Sequence, residues 1–565
     1  MASGAEAGGA LPGAADGFAW GTPGGPHGGA YRPVAMGKRG MVATGHPLGT
    51  AAGLRVLMDG GNALDAAVAA AAVLSVVEPY ESGVGGGGYL LFYDARASAL
   101  HCLDYVGRSP RAMVPTQFAT QDDLYRGPRG ALVPAAAAGW LAALDRFGSM
   151  DRGRVLAAAV TCADDGFPLT IRNAGVIREY ASLLAGDGRV ARVFLPHGRP
   201  PRAGAVIRQA DLAAMLRLMA EGGLEAFYRG PIAAEIARYC EESGGLLTSA
   251  DLAACRVQWV EPIRGGYRDW TVALPPPPCS GFQILETLRI IEGDDLRSLG
   301  RFSAACLHLL IETMKLAIAD RIAHAAVPAP PLEVLLSAEY AARQRRRIDP
   351  DRAALSEGER YARVPGKVQP GLPSIRERHT THLDVVDRWG NIASVTQSVG
   401  DFFGAGVVAG NTGILLNNLA YWFDLNPDSP NAIGPGKGIE MPMSPCIVFR
   451  NDRPVLALGT PGGHGILETT VQILINLLDL GMNIQAAIEA PRFRTQEGRR
   501  VVMESRIPPE VRDALATLGH EIEPAGEWAA ASFSLGRAQG IWIEPGSGTL
   551  MGGADPRTDG TALGW

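Results

Sequence analysis

The chain has 565 residues, of which 47% are hydrophobic and 19% charged, and its formal net charge at pH 7 is −6. This is the composition of an ordinary globular protein with enough apolar material for a large core. Such a mild charge gives no reason to expect a nucleic acid or an anionic membrane as partner.

The cysteines and the N-terminal residues indicate in which cellular compartment the protein is expected. Seven cysteines are scattered, odd in number and without a CxxC pair, so neither a disulfide framework nor a zinc site is indicated. Residues 1–32 are rich in Gly, Ala and Pro and lack the basic start and continuous apolar core of a secretory signal. We interpret them as a disordered extension and expect a cytoplasmic protein. The mostly apolar run 66–77 is too short to cross a bilayer.

The next part of the chain predicts a strand, a helix and a second strand. Residues 40–44 are typical of a buried strand, and 62–77 of an alanine-dense helix that packs closely on a sheet. A glycine run at 82–88 leads from this helix into a strand at 89–93. Phosphate loops run from a strand into a helix, so the reversed order favours glycines that let one backbone pass close to another.

Residues 151–347 are predicted to be mostly helical. Apolar residues recur at three- and four-residue spacing in five segments: 156–164, 209–221, 232–242, 282–291 and 304–326. The proline-dense run 275–278 predicts a bend, in which Cys279 fills space rather than reacts. Residues 349–379 are polar, basic and proline-punctuated, and we interpret them as a mobile tail.

The stretch after this tail predicts a β-hairpin with Thr380 at its front edge. Leu383, Val385 and Val386 precede a polar Gly-Asn turn, and a second apolar run spans 392–395. Cutting the peptide bond before Thr380 would give that residue a free α-amino group close to its own hydroxyl, hence a base and a nucleophile together. An α-amine has a pKa of about 7.7–8.0, so it would act as a base near neutral pH.

Several motifs carry a family resemblance. They are TTHLDVVDRWGNIASVTQSVGDFFGAGVVAGNTGILLNN at 380–418, GTPGGHG downstream, and GMVATGHPL, GGNALDAAVAAA and GVGGGGYLLFYD upstream. Together they strongly resemble the γ-glutamyltransferase (glutathione hydrolase) family of N-terminal-nucleophile (Ntn) hydrolases, from about residue 40 to 565. The resemblance implies an α/β fold, a four-layer αββα sandwich. A large chain, residues 33–379, and a small chain, residues 380–565, would form it jointly from one precursor.

The resemblance also implies the catalytic residues. Thr380 attacks the acyl carbon, and the resulting acyl-enzyme is resolved by water or an acceptor amine. Ser398 falls where the family usually has a threonine whose hydroxyl contacts the nucleophile. Gly462 and Gly463 match the oxyanion-hole glycines, whose backbone N–H groups bind the negative oxygen of the intermediate. No metal or organic cofactor is implied.

The γ-glutamyl pocket departs from the family pattern. An arginine and an aspartate that pair the substrate's charged groups reappear two positions late, as Arg108 and Asp424. A zwitterion must be paired at both ends when it leaves water, so we predict that the γ-glutamyl pocket is largely lost while the acyl-transfer machinery is kept. Four places carry other residues: Val106 for the arginine, Gly400 for an asparagine, Trp422 for the aspartate, and Met441-Pro442 for paired serines.

The pocket is predicted to be more apolar than the family's. With Tyr421 nearby, this suggests a smaller or less zwitterionic acyl group bearing a carboxylate, as in the family's oxamate- or glutaryl-type amidohydrolases. Two alternatives stay open, since Trp422 could simply pack the lid and His464 could face solvent at the start of a helix over 466–480. The candidate substrate-binding residues are Arg108, Asn418, Trp422, Met441 and His464.

Three functions follow from these observations. The first is a self-cleaving N-terminal-threonine amidohydrolase or acyltransferase with a small-molecule acyl-amide substrate. The second keeps Thr380 but acts on a carbon–carbon bond or a biosynthetic intermediate of specialised metabolism. The third is an unprocessed binding protein, because His379 replaces the acidic residue often found before the cut.

Overall fold

The computed structural model describes residues 30–354, 379–495, 498–528 and 535–565. Most of the predicted extension at 1–32 and of the predicted tail at 349–379 lies outside the described residues. The strands are β1 (Ala35–Gly37), β2 (Met41–Thr44), β3 (Gly87–Asp94), β4 (Ala99–Asp104), β5 (Phe167–Pro168), β6 (Val206–Ile207), β7 (Gln258–Val260), β8 (Ile263–Tyr267), β9 (Trp270–Leu274), β10 (His379–Val386), β11 (Ile392–Gly400), β12 (Cys446–Arg450), β13 (Arg453–Gly459), β14 (Phe493–Thr495), β15 (Arg500–Met503), β16 (Glu521–Pro524), β17 (Gln539–Ile543), β18 (Leu550–Ala554) and β19 (Thr561–Gly564).

The helices occupy mainly the long interval between β4 and β10. They are α1 (Pro47–Met58), α2 (Ala63–Val77), α3 (Ala136–Phe147), α4 (Arg152–Asp164), α5 (Ile171–Glu179), α6 (Ala181–Leu184), α7 (Gly188–Phe194), α8 (Ala210–Tyr228), α9 (Pro231–Ser243), α10 (Ser249–Ala253), α11 (Phe282–Ile291), α12 (Leu296–Leu299), α13 (Ala304–His324), α14 (Leu332–Leu335), α15 (Ala338–Arg345), α16 (Gly465–Leu478), α17 (Ile484–Glu489) and α18 (Pro509–Thr517).

Two antiparallel sheets of seven strands form the centre of the molecule. The first sheet has the order β19-β2-β10-β11-β3-β4-β7, and the second has β1-β18-β17-β13-β12-β9-β8. Every residue of β10 and β11 is buried, which fits a sheet covered on both faces. The predicted hairpin is therefore confirmed, and it lies in the middle of the first sheet.

Side chains that alternate along the strands build three apolar layers. Between the sheets, Leu91 of β3 packs with Ile447 and Phe449 of β12. On the outer face of the first sheet, Leu383 and Val385 pack against the helices that include α2, while a third cluster joins the second sheet to α11, α13 and α16. The order helix, sheet, sheet, helix is the predicted αββα sandwich.

The N-terminus of helix α2 is hydrogen-bonded to the turn of the β10–β11 hairpin, and its C-terminus lies next to the segment that begins at Glu78. Asn62 caps its N-terminus in a capping box with Asp65, and the carboxylate of Asp387 in the hairpin turn accepts from the Ala63 N–H at 2.8 Å. All fifteen residues of α2 are buried, as their small apolar side chains predict. The helix ends at Val77, so the segment from Glu78 onward starts inside the core.

The interval 151–347 was predicted to be mostly helical, and this is only partly correct. Helices are present at all five predicted segments, but β8 and β9 also lie there and complete the second sheet. Five-residue strands are too short to reveal their period among long helices. The proline-dense bend follows β9, and its Cys279 is paired with Met441 in a bridge. Burial raises the pKa of the Cys279 thiol to about 12, in agreement with a space-filling role.

A buried polar cluster holds the last described residues before the gap at 355–378. The His308 ring lies 2.8 Å from His520 and 2.7 Å from the Asp349 carbonyl oxygen. His308, Glu312 and His520 place ligand-type atoms within 4.8 Å of one another. However, Lys315 Nζ lies 2.9 Å from Glu312 and already neutralises the carboxylate that a cation would need.

The seven cysteines all lie in the described ranges, and each is a free thiol. Among the helices described, none combines the length and the apolar character needed to cross a membrane.

Candidate active site

Thr380 lies at an irregularity near the start of β10. In the pairing of β10 with β11, His379 is opposite Gly400 and Thr381 is opposite Gln397, so the register shifts across Thr380. Bulges of this kind re-aim side chains and are frequent beside active sites. Thr380 is 4% exposed, and the bond that precedes it is therefore enclosed in protein.

Ser398 contacts the peptide bond in front of Thr380. Its Oγ donates to the His379 carbonyl oxygen at 2.6 Å and accepts from the Gly400 N–H at 2.8 Å. A short hydrogen bond to a carbonyl oxygen polarises the carbonyl and stabilises negative charge that develops there. The structure thus places Ser398 against the bond whose cleavage the sequence predicted.

The His379 side chain is packed inside the site. Its ring stacks on Phe402 with the centroids 3.3 Å apart, and its Nε2 lies 3.5 Å from a carboxylate oxygen of Asp401. Burial, together with nearby arginines, holds the pKa of His379 well below its ordinary value. The ring is therefore neutral.

A buried carboxylate that the sequence analysis missed contacts Thr380. The backbone N–H of Thr380 donates to Glu81 Oε2 at 3.2 Å. Arg537 donates to both oxygens of Glu81, at 2.6 and 3.0 Å, and Arg172 donates to Oε1 at 2.7 Å. Four distant parts of the chain meet here. The available signal was two glutamates, Glu78 and Glu81, in an otherwise apolar stretch before the glycine run.

Glu78 contacts the residue after the candidate nucleophile. The Thr381 hydroxyl donates to Glu78 Oε2 at 3.1 Å. Burial and the neighbouring Glu81 raise the pKa of Glu78 to about 8, so most of it is uncharged at neutral pH. Glu81 differs from Glu78 in its partners, since two arginines bind it.

The predicted oxyanion glycines lie on the loop between β13 and α16. Gly462 has φ 133° and Gly463 φ 57°, conformations that side chains disfavour. The loop is fixed to the site on both sides, because a Cβ on Gly459 would meet the His382 ring of β10 at 2.3 Å and the Arg537 N–H donates to Thr460 Oγ1 at 2.8 Å. Arg537 thus contacts both this loop and Glu81.

The glycine run before β3 brings backbone against backbone, as predicted. A Cβ on Gly85 would meet the Leu415 carbonyl oxygen at 2.1 Å, and one on Gly86 would meet that of Ser398 at the same distance. This approach sets β11, and with it Ser398, beside the end of α2.

The substituted pocket positions gather in one apolar cluster. Tyr421, Trp422 and Met441 belong to the buried apolar cluster that also contains Leu91 and Ile447, and Val106 packs against this cluster. The Trp422 ring lies edge-on to His464 with centroids 5.0 Å apart. Trp422 is thus part of an apolar wall, and packing and pocket formation are compatible at this position.

Arg108 and Asn418 have other contacts than the sequence suggested. Arg108 is exposed and lies 3.4 Å from the Gly436 carbonyl oxygen. The Asn418 amide accepts from the Asp401 N–H at 2.9 Å and donates to the Tyr125 carbonyl at 2.8 Å, so it orders loops. Asp424 accepts from the Asn426 N–H in a local turn.

His464 is the N-cap residue of α16 and points toward a second buried acid. Its Nε2 lies 3.3 Å from Glu440 Oε1, and its side chain is only 14% exposed, so it does not face solvent. Burial opposes ionisation of Glu440, yet His464, Arg321 and Ser280 lower its pKa to about 2. Glu440 directly precedes Met441, and no motif had indicated it.

The αββα stack, with two antiparallel sheets between layers of helices, is the fold of the Ntn-hydrolase class. The model of the gamma-glutamyltranspeptidase family matches residues 49–565, and the chain belongs to that family. It is therefore an enzyme of the kind that hydrolyses or transfers at amide bonds.

Relatives cover almost the entire chain. The acylase ACY 1 proenzyme of Pseudomonas sp. (strain SE83) is 37% identical over 546 residues, 94% of each chain. The glutathione hydrolase proenzyme of Bacillus subtilis (strain 168) is 33% identical over 554 residues, 94% of this chain and 93% of the other. The crystal structure of cephalosporin acylase from Bacillus halodurans has a TM-score of 0.86 at 34% identity, covering 95% of this chain and 97% of its own.

Proposed function

We propose that the chain cleaves itself between His379 and Thr380 and that Thr380 then serves as the N-terminal nucleophile of an amidohydrolase or acyltransferase. The products are a large chain ending at His379 and a small chain, residues 380–565. The observation that carries this proposal is the 2.6 Å hydrogen bond from Ser398 Oγ to the His379 carbonyl oxygen, across a register shift at Thr380.

The first step is an acyl shift within the precursor. Thr380 Oγ attacks the His379 carbonyl carbon, the C–N bond breaks, and the hydroxyl proton ends on the departing nitrogen. Ser398 Oγ stabilises the oxyanion of the intermediate. Water then hydrolyses the ester, which leaves a carboxylate on His379 and a free amine on Thr380.

The second step repeats the chemistry on a substrate. The Thr380 amine takes the proton of its own hydroxyl, Oγ attacks the substrate's acyl carbon, and the protonated amine returns the proton to the leaving nitrogen. The backbone N–H groups of Gly462 and Gly463 donate hydrogen bonds to the oxyanion of the tetrahedral intermediate. Water or an acceptor amine then releases the acyl group.

For the substrate we propose an acyl amide that is less zwitterionic than a γ-glutamyl compound. Trp422, Met441 and Val106 belong to one apolar cluster, where the α-ammonium group of a γ-glutamyl substrate would have no counter-charge from these side chains. Substrates with glutaryl, oxalyl or simple acyl groups are the candidates.

Self-cleavage is tested by intact-mass analysis of the purified protein. Two chains with Thr380 first in the smaller one support the proposal, and Thr380→Ala should remain one chain without activity. Thr380→Ser is the matched variant, since it keeps a hydroxyl and should be cut. A fully active, uncut wild-type chain would overturn the proposal.

Specificity is tested on the processed enzyme. Anilides of γ-glutamyl, glutaryl, oxalyl and unsubstituted acyl groups are compared by kcat/KM. Brisk turnover of the γ-glutamyl anilide would refute the proposed pocket.

A further inference from the structure

The Glu81 carboxylate lies next to the position that the α-amine of a processed Thr380 would occupy. Before cleavage, Glu81 Oε2 accepts from the backbone N–H of Thr380 at 3.2 Å. Cleavage changes the nitrogen from an amide to an amine but does not require β10 to leave its sheet, because β11 pairs with it from Thr381 onward and β2 from Leu383 onward. The same carboxylate oxygen is then within reach of an amine N–H.

Two arginines fix the position of Glu81. Arg537 makes a bidentate interaction with both carboxylate oxygens, and Arg172 of α5 donates to Oε1. The Glu81 and Arg537 side chains are only 3% and 5% exposed. A carboxylate held in this way cannot swing, so it presents one fixed acceptor to the nitrogen of Thr380.

We propose that Glu81 is a positioning residue for catalysis, which accepts one hydrogen of the Thr380 amine so that the nitrogen lone pair faces the Thr380 hydroxyl. This rests on the proposed function. Two guanidinium groups and one carboxylate also set the charge balance at the amine. The carboxylate favours the ammonium form, while Arg172 and Arg537 favour the neutral amine that acts as base.

Other ionisable groups face this site from four parts of the fold. They are Glu78 and Tyr80 beside Glu81, Arg126 and Asp401 beside His379, and Asp559 near Glu78. Glu78 is the useful comparison, because it is a second buried glutamate three residues away that bonds the Thr381 hydroxyl. Burial and the neighbouring Glu81 raise its pKa to about 8, close to that of an α-amine, so Glu78 is partly charged where the amine titrates.

The test is the acid limb of kcat/KM against pH, which reports the protonation of the base in the free enzyme. Glu81→Gln keeps the side chain's shape but removes its charge, so the limb should move to lower pH by about one unit or more and kcat should fall. Arg172→Gln should move the limb to higher pH, because it removes a cation. Glu78→Gln should move the limb less than Glu81→Gln does, because Glu78 bonds the Thr381 hydroxyl and not the nitrogen of Thr380.

Opposite shifts in Glu81→Gln and Arg172→Gln would support the inference, whereas a merely structural Glu81 would lower thermal stability without moving the limb. If Glu81→Gln is not processed, the Arg172→Gln profile decides, since the Arg172 side chain is 13% exposed and easier to replace. An unmoved limb in processed Arg172→Gln overturns the inference. If the wild type is processed but the acid limb does not move in the variants, only the role of Glu81 is refuted. If the wild type is active without being cut, the proposed function itself is refuted.

Discussion

Gly400 and Asn418 are in such close contact that a Cβ on Gly400 would lie 2.1 Å from Asn418 Oδ1. Gly400 also has φ +107°, a conformation that suits glycine. Asn418 uses that same oxygen to accept from the Asp401 N–H. The backbone conformation at position 400 and the contact with Asn418 therefore both disfavour an asparagine there.

Gly400→Asn should destabilise the protein by about 2 kcal/mol or more, because it adds both strain and a clash. Thermal unfolding of the variant measures this. Gly390→Asn is the control, since Gly390 has φ +84° in the hairpin turn but its added Cβ would find only Ala95 at 3.6 Å. Equal melting temperatures for the two variants would contradict the prediction.

Ser398→Ala should slow self-cleavage about 10²-fold or more, because it removes the donor to the His379 carbonyl oxygen. Intact mass against time after synthesis gives the rate. Ser394→Ala is matched, as Ser394 is another buried serine of β11 and lies opposite Asp384, away from the cut. Processing of Ser398→Ala at the wild-type rate would rule out this role.

Trp422→Ala should raise KM for an apolar acyl amide at least about tenfold, with a smaller effect on kcat, since it removes a buried wall of the proposed pocket. Steady-state kinetics on the processed enzyme measure both constants. Trp389→Ala serves as control, because the Trp389 side chain is 50% exposed on the hairpin turn. An unchanged KM in Trp422→Ala would show that the ring only packs the lid.

Glu78 should make stability depend on pH. Its pKa is about 8 in the folded protein, where burial is the main cause, and about 4.3 in an unfolded chain, so the folded state binds the proton more tightly. The stabilisation is complete below the unfolded pKa and is lost as the pH rises through the folded one. Glu78→Gln should flatten the fall of melting temperature between about pH 5 and 8. Parallel curves for variant and wild type would count against the prediction.

The sequence predicted the elements whose patterns are local and long. The helix α2 and the hairpin β10–β11 follow from alanine density and from apolar alternation around a Gly-Asn turn, and both are present. The strand β9 was missed because its five residues lie among helices. Its place in the second sheet depends on pairing with β12, far along the chain.

The candidate site shows the same division. The position of Ser398 opposite the start of β10 follows from hairpin register. By contrast, the contact of Glu81 with Arg537 joins residues 456 positions apart, and no spacing rule connects them. The proposed role of Arg108 in binding an acid group came from its sequence position, whereas its exposure is decided by how the loop lies against Gly436.

The sheet order has a consequence for the two chains that the proposed cleavage would produce. In the first sheet, β2 lies between β19 and β10, and in the second β1 and β9 flank strands that follow residue 379. After the proposed cleavage the two chains should stay together, because separating them would break hydrogen bonds between paired strands in both sheets. Mixing two differently labelled preparations should therefore yield no hybrid molecules short of denaturation.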